Sequence, residues 1–117
     1  MSGMTILIVD DESGVRMVTA RMLQLAGYQV LQADCGPQAI QIIENPDQPI
    51  SLVVLDINMP DMNGCQALAA LQTIRPDLPA VLCTGFVDAD LELPSGLTAP
   101  VNILRKPFGM DALYQAV

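Results

Sequence analysis

The chain has 117 residues, of which 51% are hydrophobic, and a formal net charge of −8 with only five basic residues. This length and composition fit a single domain with one buried core and exclude a disordered chain. The scarcity of Lys and Arg argues against binding to nucleic acid, and no apolar run approaches the roughly 18 residues that would cross a membrane, so we expect a soluble, cytoplasmic protein.

Short apolar runs alternate with segments of helical periodicity along the whole chain. Strands are predicted at Thr5–Val9, Gln29–Ala33, 52–55, Ala80–Thr84 and Val101–Arg105. Helices are predicted from Ser13 to a stop at Gly27, from Pro37, from Gly64 to the vicinity of Arg75, within 88–100 and from Phe108.

The last two predicted helices are weaker than the others. Pro94, Ser95 and Gly96 make the fourth helix short or irregular, and the fifth is truncated at Val117 with no capping signal. We therefore expect residues 1–117 to be one domain taken from a longer protein. Alternation of five strands with five helices predicts an open, doubly wound α/β fold, with a parallel sheet covered by helices on both faces.

Polar residues stand at the ends of four of the predicted strands. Asp10 and Asp11 follow the first strand, Asp56 the third and Lys106 the fifth, while Thr84 closes the fourth. Because the carboxyl ends of parallel strands share one edge, where ligands of open α/β sheets bind, we expect these groups to meet in one pocket. Taken singly, Asp56 also fits a solvated loop or a helix cap, the first acids fit a helix N-terminus, and Lys106 fits a surface position. Their joint placement favours a functional site.

The chemistry of this set suits phosphoryl transfer to a carboxylate. Carboxylates form acyl phosphates as covalent intermediates, and the transfer mainly requires geometry and charge neutralisation. A pair of acids beside a third is an oxygen site of the kind that Mg²⁺ prefers. Lys106 can place a positive charge against one phosphate oxygen, and the Thr84 hydroxyl can donate a hydrogen bond to another.

The same residues carry a resemblance that covers essentially the whole chain. The pair Asp10-Asp11, the segment DINMPDMNG that begins at Asp56, the pair Thr84-Gly85 and the triplet Lys106-Pro107-Phe108 resemble the receiver domain of two-component response regulators, a CheY-like superfamily. The resemblance implies the strand order 2-1-3-4-5.

The resemblance also assigns roles to the acids. It implies that Asp56 accepts a phosphoryl group from the phosphohistidine of a partner histidine kinase or phosphotransfer protein. It implies that Asp11, Asp56 and the backbone carbonyl of Asn58 bind Mg²⁺, with Asp10 acting through water, and that Mn²⁺ can substitute. The chain contains no histidine, so the donor imidazole must come from elsewhere.

A conformational switch is the further implication of the resemblance. Thr84 and Lys106 would bind the phosphate, Thr84 would move with the following loop and helix, and Pro107 would follow a cis peptide bond. The altered surface would signal to a downstream effector domain or protein, with dimerisation on phosphorylation as one outcome. The family often has Tyr or Phe three residues before the lysine, where this chain has Ile103, which puts the usual aromatic readout in doubt.

Two other functions compete with a phosphoacceptor switch. One is a receiver-like interaction module that is not phosphorylated in use, although preservation of all the polar groups argues against it. The other is a phosphohydrolase of the haloacid dehalogenase type, which usually has a second Asp two residues after the nucleophile, where this chain has Asn58. An amide is no general acid. We therefore expect a signalling domain that catalyses only its own phosphorylation and slow dephosphorylation, with a hybrid histidine kinase among the candidate parents.

Overall fold

The computed structural model describes residues 4–45, 47–56, 64–84, 101–105 and 115. The elements within these ranges are, in chain order, β1 (Thr5–Val9), α1 (Ser13–Leu25), β2 (Gln29–Ala33), α2 (Gly36–Glu44), β3 (Leu52–Asp56), α3 (Gly64–Ile74), β4 (Ala80–Thr84) and β5 (Val101–Arg105). The fourth and fifth predicted helices, within 88–100 and from Phe108, lie outside the described residues.

The described strands form one parallel sheet in the order β2-β1-β3-β4-β5. β1 pairs on one side with β2, in the register Leu7 to Leu31, and on the other side with β3, in the register Leu7 to Val53. The prediction of an α/β fold built on a parallel sheet is therefore confirmed. β1 connects to its neighbour β2 through α1, and β3 connects to its neighbour β4 through α3. Parallel neighbours require such a crossover connection.

Both faces of the sheet are covered, which explains why β1 and β3 are apolar at consecutive positions. Side chains that alternate along the strands divide into two buried clusters. The cluster that includes Leu7, Leu55 and Leu82 packs against α2 and α3, and the cluster that includes Ile8 and Val54 packs against α1. Cys83 belongs to the second cluster and lies opposite Asp56 in the pairing of β3 with β4.

The end of α1 shows how the sequence sets an element boundary. Gly27 has φ of 98°, a conformation that side chains disfavour. Its N–H donates to the Gln24 carbonyl at 3.0 Å, and the Tyr28 N–H donates to the Leu23 carbonyl at 3.2 Å. This pair of bonds is the Schellman motif, and it confirms the predicted stop.

Two predicted boundaries differ from the structure by one residue. α2 begins at Gly36, so Pro37 is the second helical residue and not the first. The fixed φ of proline and its missing N–H suit either position of the first turn. β3 continues through Asp56, one residue beyond its apolar run.

Hydrogen bonds also tie the loops at the amino ends of the strands. Arg75 follows α3, and its Nη2 donates to the carbonyls of Asn45 at 3.0 Å and Gln48 at 2.7 Å. This contact joins the end of α3 to the segment between α2 and β3. Among the helices in the described part of the chain, none has the length and apolar character needed to cross a membrane.

Candidate functional site

The sheet order creates a crevice between β1 and β3. From β1 the chain passes to β2 on one side of the sheet, whereas from β3 it passes to β4 on the other side. Such a change of direction is a topological switch point, where open α/β proteins bind ligands beyond the carboxyl ends of the strands. Asp10 directly follows β1, and Asp56 is the last residue of β3.

Three carboxylates meet at this crevice. Oxygens of Asp10, Asp11 and Asp56 all lie within 4.8 Å of one another. Asp10 and Asp56 are only 5% and 6% exposed, whereas Asp11 is exposed to solvent. Like charges at such separations repel one another, and a small divalent cation with oxygen ligands relieves this repulsion. The donor set therefore fits Mg²⁺, with Asp11 on the open side of the group.

The position of Asp10 is fixed by contacts at several of its atoms. Its N–H donates to the Ala33 carbonyl at 3.1 Å, which extends the pairing of β1 with β2 by one residue. Its Oδ1 accepts from the Glu12 N–H at 2.9 Å, and its carbonyl accepts from Arg16 Nη1 at 2.7 Å. Glu12 lies at the N-cap of α1 and is exposed. The cluster of Asp10, Asp11 and Asp56 does not include the adjacent Glu12.

Of the other predicted site residues, two lie on described strands. Thr84 ends β4 at the same edge of the sheet as Asp56 and pairs in register with Arg105. Ile103 lies within β5 opposite Leu82. Asn58, Lys106 and Pro107 lie outside the described residues.

Arg16 contacts the Asp10 backbone, and the sequence patterns did not predict this contact. It lies in the first turns of α1, where the helix macrodipole disfavours a cation. A basic residue at that position, six residues after Asp10, is the signal that could have drawn attention to it. In the structure it bonds both the Asp10 carbonyl and Gln32 Oε1, the latter at 3.1 Å.

A comparison with protein families identifies the family of this chain. The family model described as "Response regulator receiver domain" matches residues 6–117. The chain belongs to the response regulator receiver domain family. In this receiver the paired acids after β1 and the aspartate at the end of β3 lie in one cluster.

Individual relatives agree with the family assignment. The receiver is 34% identical over 113 residues to "Sensor kinase CckA" of Brucella abortus, covering 97% of the receiver and 12% of that kinase. It is 33% identical over 114 residues to "Sporulation initiation phosphotransferase F" of Bacillus subtilis, covering 96% of the receiver and 89% of that protein. It therefore spans about an eighth of one relative and most of the other.

Solved structures show the same fold. The response regulator TrrA of Thermotoga maritima, crystallised in complex with Mg²⁺-BeF, matches this receiver with a TM-score of 0.81 at 29% sequence identity. The match covers 96% of the receiver and 94% of the TrrA chain.

Proposed function

We propose that this receiver is the phosphoacceptor switch domain of a two-component phosphorelay, and that Asp56 is the residue phosphorylated. The observation that carries the proposal is the group of three carboxylates at the switch point of the sheet. Asp56 closes a strand buried along its whole length, so its carboxylate is held at a fixed position beside Asp10 and Asp11. A fixed acceptor needs little reorganisation before transfer.

The proposed reaction moves one phosphoryl group between two proteins. A carboxylate oxygen of Asp56 attacks the phosphorus of a phosphohistidine on a partner kinase or phosphotransfer protein. The new O–P bond forms as the N–P bond breaks, and the imidazole leaves with the electron pair and takes up a proton. The product is an aspartyl phosphate, which water later hydrolyses. In this role the receiver catalyses its own modification and does not turn over an external substrate.

Mg²⁺ fits the proposed site because every available ligand is an oxygen. We propose that Asp11, Asp56 and the Asn58 carbonyl would hold the ion and that Asp10 would contact it through water, with Mn²⁺ as a substitute. When bound, the ion neutralises charge on the transferred phosphoryl group. Support comes from the carboxylate cluster of this receiver and from TrrA, whose structure was solved with Mg²⁺-BeF.

The proposed switch uses residues at the same edge of the sheet. Thr84 and Lys106 would bind the phosphate, with Pro107 after a cis peptide bond, and the segment after β4 would rearrange. Ile103 replaces the aromatic residue that often gates the output surface of the family. We propose that the fourth and fifth helices lie within 88–100 and from Phe108. A downstream effector, a phosphorylation-linked dimer or both would respond to the change.

We also propose that residues 1–117 act within a longer protein. The sequence covers 12% of the CckA kinase and 25% of the transcriptional regulator GlrR of Escherichia coli, but 89% of the Bacillus phosphotransferase. A hybrid kinase and a DNA-binding regulator are the candidate parents, and a free-standing receiver is the alternative to a longer protein. In each case we propose a cytoplasmic location, because ATP-dependent kinases make phosphohistidine there. We also propose that this domain does not contact nucleic acid.

Intact mass spectrometry after incubation with acetyl phosphate tests the proposal. We expect an adduct of roughly 80 Da, the mass of one phosphoryl group, that requires Mg²⁺ and is absent from Asp56→Asn. Asp77→Asn is the matched control because Asp77 is exposed in the turn between α3 and β4, and it should keep the adduct. Absence of the adduct in the folded, Mg²⁺-binding wild type would contradict the proposal and favour an interaction module that is not phosphorylated.

A further inference from the structure

We propose that Arg16 is a positioning residue of the cation site, and that Gln32 on β2 orients it. Arg16 would hold the peptide that joins Asp10 to Asp11, and so set the affinity of the carboxylate cluster for Mg²⁺. The inference deepens the proposed function and rests on it.

Arg16 connects three parts of the fold. Its Nη1 donates to the Asp10 carbonyl at 2.7 Å, and its Nε donates to Gln32 Oε1 at 3.1 Å. The guanidinium therefore links α1 to the loop after β1 and to the edge strand β2. Because the guanidinium group is planar, two donors engaged at once fix its orientation as well as its position.

The carbonyl that Arg16 binds belongs to the peptide unit leading into Asp11. A peptide unit is planar, so fixing the Asp10 carbonyl also fixes the direction in which the chain enters Asp11. The Asp10 N–H and Oδ1 have partners of their own, in Ala33 and Glu12. Arg16 supplies the contact at the carbonyl, immediately before the exposed acid of the cluster.

The charge of Arg16 and its hydrogen bonds act on Mg²⁺ affinity with opposite signs. A cation close to the carboxylates repels Mg²⁺, so removal of the charge alone would strengthen binding. If Arg16 positions the loop, its removal weakens binding, by about tenfold on the scale seen for residues that orient metal ligands. The sign of the change therefore separates the two roles.

Calorimetric titration of the full chain with MgCl₂ measures this sign. We expect Arg16→Gln to weaken Mg²⁺ binding by about tenfold. Arg21→Gln is the matched control, since Arg21 lies on the same helix, is exposed and its replacement removes the same charge. The Mg²⁺ affinity of this variant should stay within about twofold of the wild type because salt screens exposed charges. Arg16→Lys should recover part of the loss because an ammonium can still donate to the Asp10 carbonyl.

Gln32→Ala tests whether Gln32 affects Mg²⁺ binding through its hydrogen bond with Arg16. Gln32 is exposed on an edge strand, so this variant should fold even if Arg16→Gln does not. We expect it to weaken Mg²⁺ binding by about threefold, the scale of one hydrogen bond, and to have no further effect in an Arg16→Gln background. Thermal unfolding without Mg²⁺ identifies any variant that is not folded.

Three results would overturn the inference. The first is a Mg²⁺ affinity of Arg16→Gln that equals or exceeds the affinity of Arg21→Gln. The second is an undiminished effect of Gln32→Ala when Arg16 is already replaced, and the third is wild-type affinity in Gln32→Ala alone. A wild type that binds no Mg²⁺ is a different result, because it would contradict the proposed function itself and the inference with it.

Discussion

Replacement of Asp56 by asparagine is expected to stabilise the fold when no divalent cation is present. The substitution keeps the shape of the side chain and removes one of the three carboxylate charges in the cluster. Two repulsive pairs, with Asp10 and with Asp11, disappear at once. Without a cation, the fold should therefore be more stable when Asp56, the proposed phosphoacceptor, is replaced by asparagine.

The distances in the cluster set the magnitude. The oxygens lie within 4.8 Å of one another. At this upper limit two unit charges repel by about 0.9 kcal/mol at the dielectric constant of water and by about 3.5 kcal/mol at an effective value of about 20. Asp10 and Asp56, at 5% and 6% exposure, form the stronger pair. Asp11 is exposed, so solvent weakens its repulsion. An amide accepts fewer hydrogen bonds than a carboxylate, which offsets part of the relief, so we expect a net gain of about 1–3 kcal/mol.

Urea unfolding followed by circular dichroism measures this gain. In EDTA, Asp56→Asn should have the higher midpoint with an unchanged slope. In saturating Mg²⁺ the difference should shrink or reverse, because binding to the native state stabilises the wild type more. Asp77→Asn should change the free energy of unfolding by less than about 0.5 kcal/mol in both buffers. A variant less stable than the wild type in EDTA, or an equal gain in Asp77→Asn, would refute the electrostatic reasoning.

Further predictions concern packing, backbone conformation and loop anchoring, and each is checked by urea unfolding. Leu55→Ala should cost about 3 kcal/mol, because the side chain is fully buried, whereas Leu25→Ala, at 62% exposure, should cost less than about 0.5 kcal/mol. Gly27→Ala should cost about 1 kcal/mol because of its positive φ, while Gly14→Ala, with open space around the added Cβ, should gain about 0.5 kcal/mol; equal effects would contradict the conformational argument. Arg75→Ala should cost about 1–2 kcal/mol for its two carbonyl contacts, and a destabilisation no larger in Arg75→Ala than in Arg21→Ala would show that those contacts do not stabilise the fold.

The fold was largely predictable because its central strands β1 and β3 are buried on both faces. A run such as residues 5–9, apolar at all but its first position, fits a covered parallel strand, and the structure buries all five residues of β1. Gly27 marked the end of α1 because few other residues adopt its backbone conformation. The start of α2 was one residue off, since proline fits both the first and the second helical position and the sequence alone does not distinguish them.

The acids of the candidate site were predictable for a topological reason. Asp10, Asp11 and Asp56 lie at the ends of apolar runs, and parallel pairing brings such ends to one edge. The contact between Arg16 and Gln32 was not predictable, because it joins side chains 16 residues apart and depends on how α1 lies against β2. Glu12 shows that adjacency in sequence alone does not bring a carboxylate into the cluster. It is adjacent to the pair in sequence, but the turn into α1 leaves it outside the group of three.

The position of β1 inside the sheet has a consequence for synthesis of the chain. β1 pairs with β2 and β3 on its two sides, and β3 ends at Asp56, near the middle of the chain. During translation the first two strands and α1 can assemble early, but one edge of the strongly apolar β1 stays unpaired until β3 emerges. Unpaired apolar edges promote association between nascent chains. The carboxylate cluster lies at the crevice between β1 and β3, so it forms only when β3 pairs with the remaining free edge of β1.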